Sequence, residues 1–70
     1  MNGNELLKKI KQWAKDRNVA IELFKEHGKG SHSTLWVGGQ RTTIKDLKKE
    51  IGPGLLHKML AQLGIDKDDL

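Results

Sequence analysis

The 70-residue sequence has no cysteine and no tyrosine, one proline, and only three aromatic residues, two tryptophans and a phenylalanine. Without cysteine there are no disulfides, no thiolate nucleophile and no Cys-based zinc site, which fits a reducing compartment. No apolar run approaches the roughly 20 residues that a membrane-spanning helix needs. The polar start Met1-Asn2-Gly3-Asn4-Glu5 lacks the charged-then-apolar order of a secretory signal. The expected address is therefore the cytoplasm, with no membrane partner. A chain of this length suffices for one domain, spanning 1–70, with a thin core. It leaves no interior volume for a cofactor, and none is expected. An active site would be a shallow surface feature.

What is present is positive charge. Lys and Arg number 13 against 9 acids, a formal net charge of +4. The excess is uneven. Asp66, Asp68 and Asp69 outweigh Lys67 at the end of the chain, so residues 1–65 carry +6. A compact basic body with a short acidic tail, 66–70, expected to be flexible, favours a polyanionic partner. Solubility alone is the plainer explanation of the same imbalance.

The apolar pattern changes period along the chain. Leu6, Leu7, Ile10, Trp13 and Ala14 recur at the spacing of one helical face, and Trp13 reads as core. Asn2 with Glu5, or Asn4 alone, can cap the start, and the pattern ends near Asn18. Val19, Ile21 and Leu23 then alternate with Ala20 and Glu22 as in a half-buried strand. The break Gly28-Lys29-Gly30-Ser31 leads into a second strand over 32–37, rich in β-branched and aromatic residues. Gly38-Gly39 is a hairpin signal, since glycine reaches positive φ at little cost. A third strand covers 41–44, and 45–51 reads as an irregular crossing with at most one helical turn. Gly52-Pro53-Gly54 opens a last helix with the stripe Leu55, Leu56, Met59, Leu60 and Leu63, closed by Gly64. The order predicts an α+β fold, α-β-β-β-α, with a three-stranded antiparallel sheet and two helices on one face. That is the arrangement of a double-stranded-RNA-binding domain.

Histidine is the side chain that ordinarily titrates near neutrality, and three are present. His32 emerges directly from Gly28-Lys29-Gly30-Ser31. Two glycines let backbone amides approach a phosphate. Lys29 adds charge and Ser31 a hydroxyl, so Lys29, Gly30 and Ser31 form a candidate phosphate loop, with Arg41 or Lys29 as charge stabiliser. A histidine held there could take the proton of an RNA 2′-hydroxyl, which then attacks the adjacent phosphate; DNA has no such internal nucleophile. A loop histidine can equally be an ordinary polar surface residue. His27 could assist or be a solvated strand end, and His57 reads as a partly exposed helix residue. No HxxE or HxxxH pairing suggests a metal. If Leu35 and Val37 face the helices, Trp36 shares the open sheet face with His32 and could stack a base; otherwise Trp36 is core. Lys45, Lys48, Lys49 and Lys58 could track phosphates, or form a solvated face.

These residues resemble the HicA family, the toxins of HicAB type II toxin–antitoxin systems. The likeness runs from Gly28 to Ile65. It rests on Gly28-Lys29-Gly30-Ser31-His32, the strands with Thr34-Leu35-Trp36 and Arg41-Thr42-Thr43, and the ending Gly52-Pro53-Gly54-Leu55-Leu56 with Met59-Leu60-Ala61-Gln62-Leu63-Gly64-Ile65. After the third strand the chain reads Ile44-Lys45-Asp46-Leu47, where many members carry Val-Pro and a further histidine. The resemblance implies a double-stranded-RNA-binding-like fold and metal-independent mRNA cleavage with His32 as catalyst. It also implies a HicB-like antitoxin that covers the site, DNA being met only through that antitoxin, and a prokaryotic setting. Two other readings use the same residues: a non-catalytic RNA-binding module, which leaves the glycine loop unexplained, and a pure interaction protein with an acidic partner.

Overall fold

The computed structural model describes residues 1–25 and 32–70. It has the expected order: α1 (Gly3–Arg17), β1 (Ile21–Lys25), β2 (Ser33–Val37), β3 (Gln40–Ile44) and α2 (Pro53–Leu63). The strands form one antiparallel sheet in the order β1-β2-β3.

Local chemistry explains the element ends. Asn2 and Glu5 form a reciprocal capping box: the Glu5 amide donates to Asn2 Oδ1 at 2.9 Å, and the Asn2 amide to Glu5 Oε1 at 3.2 Å. Two otherwise orphaned amides are thereby satisfied. Asn18 closes α1 in the left-handed region, at φ 57°, a conformation asparagine tolerates better than most residues. Pro53 sits in the first turn of α2, and Gly64 ends it at φ 70°. Only two residues, Gly38 and Gly39, join β2 to β3, and only Gly38 of this pair takes a positive φ.

The sheet has two unlike faces. Ser33, Leu35 and Val37 of β2 and Thr42 and Ile44 of β3 are buried. Leu35, Val37 and Ile44 meet Leu6, Leu7 and Ile10 of α1 and Met59, Leu60 and Leu63 of α2 in one core cluster. Both helices therefore cover the same face. Leu6, Ile10 and Leu35 have no exposed surface, and each such side chain contributes roughly 1.5–3 kcal/mol by leaving water. The buried Thr42 hydroxyl donates to Gln62 Oε1 at 2.7 Å, which offsets its desolvation.

Two expectations need correction. Trp13 is only partly buried at the core's rim, with the Arg17 guanidinium 4.7 Å from its ring centre. Leu55 is 49% exposed rather than part of the buried stripe. At about 100° per residue it stands roughly a quarter-turn from the centre of the face that carries Leu56, Met59, Leu60 and Leu63. Residues 45–51 form the expected irregular crossing, with a turn at 47–48 and no helix. The acidic end is a short 3-10 turn, Lys67–Asp69, in which the Asp66 side chain accepts from the Asp68 amide at 3.0 Å; Leu70 packs back on the core, and Asp69 lies 3.6 Å from Arg17. No helix among the described residues is long and apolar enough to cross a membrane.

The 45–51 segment is held from the far end of the chain. The Asn4 amide donates to the Leu47 carbonyl at 2.9 Å, and the Ile51 amide to the Met1 carbonyl at 2.8 Å. Asn2 bridges Glu50, whose carboxylate also meets the Met1 ammonium. Gly3 permits this approach: a Cβ there would lie 2.8 Å from Leu47 Cα and 3.0 Å from Ile44 Cγ2. Gly3→Ala should therefore force the segment outward. Overpacking against backbone outweighs alanine's better helix propensity, and a net loss of about 1–2 kcal/mol is expected in urea titration. An unchanged midpoint would show that the contact yields freely.

Candidate nucleic-acid interface

The position of His32 follows from strand alternation. Odd residues of β2 are buried and even ones, Thr34 and Trp36, are half-buried on the opposite face. His32, one residue before the strand and itself half-buried, continues the even series. Ser33 pairs with Ile44, so the next residue outward on each chain brings His32 and Lys45 to the same end of the sheet. His32, Lys45, Asp46 and Lys49 line a surface depression of about 330 Å³ there.

The turn beside His32 is internally braced. Asp46 Oδ1 accepts from the Lys48 amide at 2.9 Å, and the Asp46 carbonyl accepts from the Lys49 amide at 3.2 Å. With Leu47 tied to Asn4, this turn presents two ammonium groups and one carboxylate around an imidazole. Such a set can hold a phosphate diester: the lysines meet the non-bridging oxygens, and the imidazole is placed to move a proton. Among the described residues, no three His, Asp or Glu side chains gather as metal ligands would.

Other expected site residues are distributed differently. Lys29, Gly30 and Ser31, together with His27, fall outside the described residues. Arg41 lies on the same sheet face as His32 but is not among the residues that line its depression. It is the direct cross-strand partner of Trp36, and its guanidinium sits 5.5 Å from that ring's centre. Among the described residues, the cations that line the His32 depression are Lys45 and Lys49. His57 is exposed on α2. Lys8, Lys11 and Lys15 share one side of α1 and, with Asn4, Leu7 and Gln12, line a second surface depression.

Two residues escape a reading of the sequence alone. Asp46 is hidden in a charged stretch without periodicity, and nothing local shows that it comes beside His32. Phe24 did leave a signal. It shares the even parity of Glu22 and is 53% exposed, on the open face with Trp36.

Comparison of the chain with protein-family models, with curated proteins and with solved structures finds no match.

Proposed function

We propose that this chain is a metal-independent endoribonuclease that uses His32. One observation carries the reading: His32 stands half-buried at the mouth of β2, in a depression shared with Lys45, Lys49 and Asp46. The His32 imidazole takes the proton from a 2′-hydroxyl. The 2′-oxygen then bonds to the adjacent phosphorus, and the bond to the 5′-oxygen of the next nucleotide breaks. That oxygen leaves with a proton from solvent. Lys45 and Lys49 offset the charge that builds on the phosphoryl oxygens, the kind of electrostatic support that contributes most to such reactions. Asp46, which lines the same depression, is the carboxylate that would orient the imidazole.

Within this class, the Gly28-Lys29-Gly30-Ser31-His32 string and the Gly52–Ile65 ending support a HicA-like toxin. In that role the enzyme cleaves mRNA in a prokaryotic cytoplasm. A HicB-like antitoxin covers the His32 depression, and any contact with DNA passes through that partner. The lysine stripe of α1 favours a second reading, a binding module that holds duplex RNA by its phosphates without cutting it.

The test is the chemistry of the ends. Purified chain, in excess chelator, should cut an RNA oligonucleotide to 2′,3′-cyclic phosphate and 5′-hydroxyl termini and leave the DNA of the same sequence whole. Uncut RNA, or ends bearing a 5′-phosphate, would rule the mechanism out.

A further inference from the structure

No helix among the described residues covers the second face of the sheet, and it is not an ordinary solvated face. Two aromatic rings stand on it, Phe24 from β1 and Trp36 from β2. Register places them on one diagonal: Trp36 pairs with Glu22 and Arg41, while Phe24 pairs with Thr34, which in turn pairs with Thr43. Diagonal neighbours of this kind lie within reach of each other for large side chains. Phe24, Trp36, Glu22, Ala20 and Gly38 enclose a surface depression of about 440 Å³. The Arg41 guanidinium, 5.5 Å from the Trp36 ring centre, adds a cation–π contact and a planar fork of donors beside the ring.

We propose that this face is a stacking platform for single-stranded RNA, with bases lying on Trp36 and Phe24 and Arg41 meeting the backbone. The platform rests on the RNA-cleaving reading for its place in the reaction, because it lies in line with His32. Trp36 is four residues from His32 along one strand, about 13 Å at roughly 3.3 Å per residue. Phe24, opposite Thr34, stands between them. A strand laid along β2 would pass over Trp36, then Phe24, and bring a following phosphate to His32, Lys45 and Lys49.

Three features favour an unpaired strand over other occupants. A flat π surface takes a base whose own face is free, and inside a duplex those faces are already stacked. The 2′-oxygen must also lie in line with the bond that breaks, which the regular A-form backbone prevents. A protein partner would want a continuous apolar patch, whereas here the two rings are flanked by the polar side chains of Glu22, Thr34, Arg41 and Thr43. The +6 charge of residues 1–65 supplies the general attraction to phosphate.

The experiment uses the full chain and a dye-labelled 2′-O-methyl oligoribonucleotide, single-stranded or folded as a blunt hairpin. This probe can stack but has no nucleophile, so binding is read apart from cleavage. Wild type should bind the single strand more tightly than the hairpin. Phe24→Ala and Trp36→Leu should each weaken single-strand binding by about fivefold to a hundredfold, with Trp36→Phe retaining most of it and hairpin affinity hardly changed. Phe24 is exposed, so its truncation leaves the core intact; it decides the question if Trp36→Leu melts early. Binding unaltered by Phe24→Ala, or a hairpin bound as tightly as the single strand, overturns the platform. No affinity for either form overturns it too and makes the face a surface for another protein. Loss of binding in the variants of a chain that never cleaves RNA would sink the nuclease reading and leave the platform standing.

Discussion

His32→Ala should cleave RNA about 10²–10⁴-fold more slowly than wild type, the usual contribution of a positioned general base. Its induced expression should no longer arrest growth or degrade mRNA. His32 is half-buried, lies outside the core cluster and precedes the first paired residue of β2, so the substitution leaves the core cluster and the strand register intact. The folded fraction should therefore match wild type by circular dichroism and thermal melting. Cleavage at the wild-type rate by a folded His32→Ala protein would remove His32 from the chemistry. The chain would then be better described as an RNA-binding module whose α1 lysines do the holding. A variant that is inactive because it is unfolded would say nothing about catalysis, so the melting curve belongs to the result.

Leu35→Ala is expected to have the largest effect on stability. Leu35 has no exposed surface and stands in the middle of the central strand, paired on both sides. Truncating such a residue costs about 2–5 kcal/mol, through lost transfer energy and the cavity left behind. A domain of this size holds only roughly 4–10 kcal/mol in total, at about 0.05–0.15 kcal/mol per residue. The variant should unfold at a much lower urea concentration, with a substantial unfolded population at 37 °C. It would lose activity for a reason that His32→Ala does not share. A stability loss below about 1 kcal/mol would mean that neighbouring side chains collapse into the space.

Much of the fold was legible because its signals are local. The 3.6-residue period of Leu6, Leu7 and Ile10, the Asn2–Glu5 pair and Gly64 each act within a few residues of themselves. The alternation through Leu35 and Val37 left two positions for Trp36, open face or core, and the burial of Leu35 and Val37 decides for the open face. What escaped depends on distant partners. Residues 45–51 show no periodicity because their shape is dictated by Gly3, Asn4 and Met1, more than 40 residues earlier in the chain. Asp46 and Lys49 reach His32 only through that tie. That Arg41 stands against Trp36 depends on the pairing register of β2 and β3, which no local signal carries. Leu55 joined the expected stripe because a leucine-rich helix start blurs which residues lie at the centre of a face.

The one-sided sheet also divides the labour of the strands by parity. Along β2, odd positions hold the molecule together and even positions meet the surroundings. A lineage could therefore rewrite residues 22, 24, 34, 36, 41 and 43 and change what the protein grips, at modest cost to folding. The same substitutions shifted by one residue would be lethal to the fold. Drift in ligand preference and drift in folding robustness are thus uncoupled within single five-residue strands.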